Sequence, residues 1–345
     1  MYSVSKIVKM LSVLNTGGSL SMVNYELARK MVDDIPFDWS DSTKRICDPH
    51  CGSGMFLLAC AEKLAEHGHT PKHIVTKMLF GNDIDEVQVM TANKALRMFC
   101  DVDSNIELKD SLNEVMNKEF NLTIGNPPFQ AIKEDGDRKD NASNLWSEFT
   151  MWALEHGEQV ALVTPTTWLS PSADVGAKTR LWDEFNKYTT YANVTDVKQY
   201  FPKVGSSFGY VIVDTTGNDG LTFSNGESTE LGFLPKSGLD EVKSQLDLEE
   251  NIAKYYRRNQ SNDAERRVAI PVTRNVSEEN VQILEDGRNK PKHGSDNIHL
   301  WYYIYAGDDC EYVRDRVIEC ADILNIHCRW SGYINLKTVG LIHVG

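Results

Sequence analysis

The chain has 345 residues, 41% hydrophobic and 25% charged, a composition that fits a water-soluble globular protein large enough for two domains. No run approaches the roughly 20 apolar residues of a membrane span, and the opening segment, broken by Lys6 and Lys9, lacks the apolar stretch of a secretory signal. The net charge of −14 argues against a nucleic-acid partner, yet residues 251–345 hold 13 basic and 13 acidic residues, so the whole acid excess sits in 1–250.

Seven cysteines lack C-x-x-C spacing, and Cys47, Cys51, Cys60 and Cys100 lie in or beside apolar segments, which reads as a reducing, cytoplasmic setting. Cys47, His50 and Cys51 have no second ligand pair nearby in sequence, so no metal is expected.

Apolar spacing over 22–33 predicts a helix. "KRICD" (44–48) reads as a short buried strand stopped by Pro49, and "GMFLLACAEKLAEHG" (54–68) as a helix closed by Gly68. "KMLFGND" (77–83) is a second strand, followed by a helix over 86–99. "NIEL" (105–108) and "FNLTIG" (120–125) are the third and fourth strands. A helix around "NLWSEFTMWALEHG" precedes the strand "QVALVT" (159–164), a further helix falls near 176–187, and "YVIVDTT" (210–216) is a β-branched strand. This alternation predicts an α/β domain with a mainly parallel sheet. Past residue 217 the pattern changes. "LTFSNGESTELGF" suggests a hairpin around Asn225-Gly226, 239–259 a helix, "LWYYIY" (300–305) an aromatic segment and 310–324 another helix. The expected domains are therefore 1–217 and 218–345, and an ending in "GLIHVG" without a polar tail reads as truncated.

In a parallel sheet, ligands bind beyond the carboxyl ends of the strands. "DPHCGSGMF", "FGNDID", "LKDS" and "IGNPPF" should therefore open onto one edge. Gly52 and Gly54 let the backbone turn tightly against a ligand. Leu57 stands where a dinucleotide loop needs its third glycine, and no lysine follows as in a P-loop. Asp48 repels pyrophosphate and suits an ammonium or sulfonium. Asp83 can accept from ribose hydroxyls, and Asp110 from an adenine amino group. These choices fit an adenosine with a cationic tail and no phosphate, as in S-adenosylmethionine. In "NLTIGNPPFQ" (121–130), the Asn126 oxygen and the Pro127 carbonyl can polarise an aromatic amine, the paired prolines fix the turn, and Phe129 offers a face for a base.

Together these segments resemble the DNA adenine-N6 methyltransferases of the gamma arrangement, in which cofactor motifs precede the catalytic motif and a target-recognition domain comes last. "DPHCGSGMF" resembles their motif I, "GNDID" motif II, "KDSL" motif III, "NPPF" motif IV, and "YFPKVGSSFGYVIVD" motif VIII. "NASNLWSEFTMWALEHG" followed by "VALVTPTTWL" resembles the two motifs after IV, and the likeness spans about 20–215. Two departures stand out: "SLSMVNYELA", with Ser21 and Met22, replaces the usual Thr-Pro opening, and Asp83 stands where Glu is common.

The resemblance implies a Rossmann-like S-adenosylmethionine-dependent methyltransferase sheet over 1–217 and a smaller mixed α/β target-recognition domain over 218–345. It implies methyl transfer to N6 of an adenine flipped out of double-stranded DNA. Asn126, Pro127, Pro128 and Phe129 would be catalytic. Asp48, Pro49, Cys51, Gly52 and Gly54 would hold the cofactor with Asp83, Ile84, Asp110, Ser111 and Asn126. Phe129 and Phe201 would stack on the base, with Phe208 second to Phe201. DNA phosphates would meet Lys203, and the basic stretch after Lys254 adds Arg257, Arg258, Arg266 and Arg267 as DNA-binding candidates. Lys133, Arg138 and Lys139 form a further polar candidate loop. A restriction endonuclease partner is neither implied nor excluded. The alternatives are an RNA adenine-N6 methyltransferase, whose unpaired base suits the same pocket, and a non-catalytic DNA-binding subunit on this fold. A protein glutamine methyltransferase and a nicotinamide dehydrogenase stand further off.

Overall fold

Apolar strands stopped by polar loop residues, with amphipathic helices between them, build the first part of the protein. The computed structural model describes residues 2–14, 24–113, 119–128, 145–165, 188–194, 197–200, 208–217, 221–223, 228–229, 238–247, 249–259, 265–285, 301–330, 333–334 and 336–344. The chain divides into two units. The first is Met1–Pro165 with Lys187–Val204 and Phe208–Ser224; the second is Thr166–Asn186 with Gly205–Ser207 and Asn225–Gly345.

The first unit opens with α1 (Val4–Leu14) and α2 (Tyr25–Asp34), then β1 (Ile46–Asp48), α3 (Met55–Glu66) and β2 (Leu79–Asp83). It continues through α4 (Glu86–Phe99), β3 (Asn105–Leu108), β4 (Phe120–Gly125), α5 (Leu145–His156) and β5 (Gly157–Pro165). It closes with β6 (Thr189–Asn193), β7 (Phe208–Asp214) and β8 (Leu221–Phe223). The strands lie side by side as β3-β2-β1-β4-β5-β7-β6-β8. Neighbours from β3 through β5 are parallel, whereas β7 runs antiparallel to both β5 and β6. β1 is buried along its whole length and β4 at all but one position, as expected for strands covered on both faces.

Leu27, Met31 and Val32 of α2 and Leu57, Leu58 and Leu64 of α3 share a core with Ile46, Leu122 and Ile124 of the sheet. Each such side chain contributes roughly 1.5–3 kcal/mol by leaving water. Asn24 starts α2 by accepting the Glu26 N–H at 2.8 Å, and Asp85 starts α4 by accepting from Val87 at 2.8 Å. The chain moves outward from β1 through β2 to β3, then returns to the other side with β4 and β5. The carboxyl ends of β1 and β4 therefore flank the point where strand order reverses, the usual ligand crevice of such sheets.

In the second unit, α6 (Leu239–Gln245) and α7 (Ile252–Tyr255) precede β9 (Arg257–Asn259), β10 (Arg267–Pro271), β11 (Gln282–Leu284), β12 (Trp301–Tyr305) and α8 (Cys310–Glu319). The four strands form an antiparallel sheet in the order β9-β12-β10-β11. One set of buried residues joins Val268, Ile270, Tyr302 and Ile304 to Val313 and Val317 of α8. A separate one joins Ala269, Leu284, Trp301, Tyr303 and Tyr305.

The single helix expected over 239–259 is corrected here. Leu246 and Asn251 make β-bridges to Ile342 and His343, which break the helix, and Asn251 caps α7 by accepting the Lys254 N–H at 3.1 Å. From Arg257 the backbone is extended and pairs with Tyr305. The helix expected over 310–324 likewise closes at Glu319 and gives way to a wider π turn at Ile323–His327. The hairpin tip at Asn225-Gly226 and the helix near 176–187 lie outside the described residues.

Candidate active site

The loops after β1, β2 and β3 are locked together by hydrogen bonds. The Cys51 N–H donates to the Asn82 carbonyl at 2.8 Å, and the Gly52 N–H donates to Asp83 Oδ2 at 2.9 Å. The other Asp83 oxygen accepts the Asp85 N–H at 2.9 Å, and the Asp83 carbonyl accepts the Lys109 N–H at 2.9 Å. Ser111 is buried; its hydroxyl donates to the Pro49 carbonyl at 2.8 Å and accepts from Asn82 Nδ2 at 3.0 Å. Ser111 thus acts through the loop carrying Pro49.

Gly54 begins α3 at φ +82°, and a Cβ there would lie 3.1 Å from the Ala92 Cβ of α4. Both the backbone sign and the closeness of α4 call for glycine. At the end of β4 the constraint is steric alone. A Cβ on Gly125 would lie 2.4 Å from His50 Cε1 and 2.7 Å from Asp48 Oδ1. The strand that carries Asn126 is therefore pressed directly onto the glycine loop.

Asp48 is buried, and desolvation, with the nearby Asp83 charge, pushes its carboxyl well above the usual carboxylate range. Its Oδ1 accepts the His50 N–H at 3.3 Å. The His50 side chain is only 6% exposed, and burial pushes its imidazole down to about 3, so the ring is neutral at pH 7. Its Nδ1 is 3.3 Å from Asp48 Oδ1, close enough for attraction but not aligned for a hydrogen bond. The ring meets Phe149 of α5 edge-on, with centroids 4.7 Å apart. Both His50 ring nitrogens and the Asn126 Oδ1 are buried without a hydrogen-bond partner among the described residues. Such atoms are costly, and they collect where a ligand completes the bonding. Burial also raises the Cys51 thiol well above its ordinary value, which makes it inert as a nucleophile.

Pro127 is buried and Pro128 exposed, while Phe129 lies outside the described residues. Ile84 is 74% exposed, and Leu108, whose register partner is Asp83, is 56% exposed. These two leave apolar surface beside the Asp83 carboxylate. Asp110 holds its own turn, with one oxygen accepting the Leu112 N–H at 3.0 Å and the other Asn113 Nδ2 at 2.7 Å. Among the described residues no group of three or more His, Cys, Asp or Glu side chains could hold a metal, and no helix is long and apolar enough to cross a membrane.

The remaining candidates fare differently. Ser21, Met22, Lys133, Arg138, Lys139, Phe201 and Lys203 lie outside the described residues, as does the Arg258 side chain. Phe208 is buried in the core of the first unit, so its ring has no free face for a base. In the second unit, Arg257 lies over the Tyr305 ring at 4.3 Å and pairs with Glu265. Arg266 is held by Glu285 at 3.1 Å, by Glu311 and by the Gly307 carbonyl at 3.1 Å. Arg267 is fully buried, with its guanidinium 5.3 Å from the Tyr303 ring and 5.8 Å from that of Tyr305. An arginine with no surface cannot meet a phosphate in this arrangement. The sequence reading missed this because a basic run ordinarily marks a solvated face. His50 enters the sequence reading only as a metal-ligand candidate beside Cys47 and Cys51.

Residues 26–166 match the family model described as N-6 DNA Methylase. A curated relative, the type II methyltransferase M.VspI of Vibrio sp. (strain 343), is 32% identical over 123 residues. That match covers 35% of this chain and 28% of the relative, so the chain spans under a third of that protein's length. Among solved structures, a nuclease-deletion mutant of the type ISP restriction-modification enzyme LlaGI, in complex with a DNA substrate mimic, is similar in fold. It has a TM-score of 0.51 at 13% identity, over 77% of this chain and 31% of that one. The type I restriction-modification methyltransferase subunit from Streptococcus thermophilus gives 0.45 at 13% identity, over 59% of this chain and 47% of that one. The glycine loop and the N-P-P turn both lie inside the span, residues 26–166, that matches the N-6 DNA Methylase family model.

Proposed function

We propose that this chain moves a methyl group from S-adenosylmethionine to the N6 amino group of an adenine flipped out of duplex DNA, at a specific sequence. The observation that carries the reading is the Asn126 carboxamide oxygen, buried without a hydrogen-bond partner, one residue beyond the glycine pressed against Asp48 and His50. The family match over 26–166 supports the reaction class.

The residues present fit the cofactor. Asp48 is a buried carboxyl with one long hydrogen bond, and it can ionise against a cationic tail. Each Asp83 oxygen accepts one backbone N–H and keeps a lone pair for a ribose hydroxyl. Ile84 and Leu108 expose apolar surface that a purine can cover. The bound cofactor supplies a methyl group on a sulfonium, an electrophile that needs no further activation.

The protein's task is the amine. An exocyclic aromatic amine is a weak nucleophile because its lone pair is delocalised into the ring. Asn126 Oδ1 and the Pro127 carbonyl accept its two hydrogens and draw electron density back onto nitrogen. Burial strengthens these bonds, and holding the amine in line supplies much of the rate. The second unit acts as the target-recognition domain, with Arg257, Arg258 and Arg266 as its phosphate candidates, and Lys203 of the first unit is a further one; Arg267 is withdrawn because it is buried.

The test offers tritium-labelled cofactor with duplex DNA, RNA or protein in separate reactions. Label entering duplex DNA as N6-methyladenine is expected. Label only in RNA or protein overturns the substrate assignment.

A further inference from the structure

The sheet has a second open edge, opposite the crevice, and it carries a cavity that methyl transfer does not use. There the amino ends of β4 and β5 meet the carboxyl end of antiparallel β7, with Leu122 and Asp214 as the register partners of Gln159. The loop after α2 supplies the rest of the wall through Phe37 and Lys44. Together they frame a cavity of about 150 Å³, the size of an engineered cavity that admits benzene. Every residue of the wall belongs to the first unit.

The hydrogen bonds of this wall leave acceptors in surplus. Its amides and its hydroxyl already donate within the wall. Asn121 Nδ2 donates to Glu158 at 2.8 Å, and the Thr216 hydroxyl donates to Asp214 Oδ1 at 2.5 Å. Gln159 Nε2 reaches the Pro36 carbonyl at 3.4 Å and the other Asp214 oxygen at 3.5 Å. Gln159 Oε1, in contrast, is buried with no partner among the described residues. Such an atom keeps its desolvation cost until a donor comes to it. Asn121 occupies one oxygen of Glu158, and Ser40 one of Asp38, which leaves an acceptor on each. The charges lean the same way: Asp38, Glu158 and Asp214 stand against Lys44, whose charge Asp38 shares with Asp41.

This wall calls for a cation with several N–H groups. A phosphate or carboxylate would meet three carboxylates and find only Lys44. A metal ion does not fit, because among the described residues no group of three or more His, Cys, Asp or Glu side chains could hold one. An ammonium is compact and strongly hydrated, whereas a guanidinium is flat, more weakly hydrated, matches carboxylates with its fork and stacks on aromatic faces. Phe37, set edge-on to Trp39 with centroids 4.9 Å apart, brings an aromatic ring to the wall. We propose that this cavity binds a guanidinium group, with Glu158 and Asp214 as its carboxylate partners, Gln159 Oε1 as a further acceptor and Phe37 as its aromatic wall. A free alkylguanidine and the arginine side chain of a partner protein carry the same group. Asn121 and Gly125 lie near opposite ends of β4, so filling the cavity leaves the crevice beside Asn126 open.

The test follows the backbone amide signals of the deuterated, ¹⁵N-labelled full chain during titration with methylguanidinium or methylammonium at constant ionic strength. Methylguanidinium is expected to shift the amides of Phe37, Gln159 and Thr216 saturably at roughly millimolar concentration. Methylammonium should bind at least about fivefold more weakly. Glu158→Gln keeps the oxygen that Asn121 bonds and removes the charge, and Gln159→Leu removes the buried acceptor. Each should weaken methylguanidinium about threefold or more, with thermal melts confirming that both variants fold. Agmatine and an arginine-containing peptide then separate the sources. Agmatine binding at least as tightly as the peptide assigns a small-molecule site; tighter binding of the peptide assigns a notch for a partner's arginine. Either result sustains the guanidinium assignment. No saturable shift at these amides, equal affinity for methylammonium, or unchanged affinity in both folded variants overturns it.

Discussion

Removing the Asn126 carboxamide should separate stability from activity. Its oxygen is buried and accepts no hydrogen bond among the described residues, a situation that costs roughly 1–3 kcal/mol in desolvation. Asn126→Ala removes that penalty together with the packing of a half-buried side chain. The balance places the variant level with wild type or above it by up to about 2 kcal/mol. The first unit holds about 200 residues, a size at which such a gain raises Tm by up to roughly 4–8 °C. Methyl transfer should fall on the order of 100-fold or more, the usual effect of losing one preorganised polar group at a reacting centre. Thermal melts and single-turnover transfer on the same preparation give both numbers. A drop of several degrees with transfer intact would refute the reasoning, because the carboxamide would then be a structural group.

Four further outcomes follow from the structure. Gly125→Ala places a methyl group 2.4 Å from His50 Cε1 and 2.7 Å from Asp48 Oδ1, which should cost about 1–3 kcal/mol in a denaturant titration and weaken cofactor binding; a neutral result would mean the strand end yields freely. His50 titrates near 3 when folded against 6.5 as the reference value, so the unfolded chain binds more protons between those values and stability falls as pH drops from 6.5 toward 3. Asp48, held above its ordinary range, works the other way and loses stability as pH rises, so the comparison is made between proteins: His50→Phe should show a smaller acid-side loss than wild type, and identical curves would remove His50 as the source. In the second unit, Arg257→Ala with Arg258→Ala should weaken duplex binding and flatten its salt dependence, whereas Arg267→Ala should instead lower stability by about 2–4 kcal/mol because its guanidinium is buried against two tyrosine rings.

The parallel strands are legible in the sequence because each apolar run stops at a residue that cannot continue it. Pro49 follows β1, and β4 ends at Gly125 before two prolines. "NIEL" and "FNLTIG" coincide with β3 and β4 residue for residue. Strand direction is not legible: "YVIVDTT" has the same β-branched character whether it lies parallel or, as β7 does, antiparallel to β5. β6, "TTYAN", has too few apolar residues to announce itself, and its place is set by pairing with β7. The helix expected over 239–259 has good local periodicity, but bridges to Ile342 and His343, about 90 residues on, override it. At the site, the aspartates and glycines are readable from residue type and order. The condition of His50 is not, since the absence of a partner for a buried ring depends on Phe149 and Gly125 arriving from elsewhere in the chain.

The central claim concerns where the methyl group goes. Methylation-sensitive sequencing of plasmid DNA from cells expressing this chain tests it most directly, with the Asn126→Ala chain expressed in parallel. The account predicts N6-methyladenine at one recurring short sequence with the wild-type chain and none with the variant. A plasmid unmodified at adenine despite abundant folded protein, or the same marks from Asn126→Ala, would contradict it.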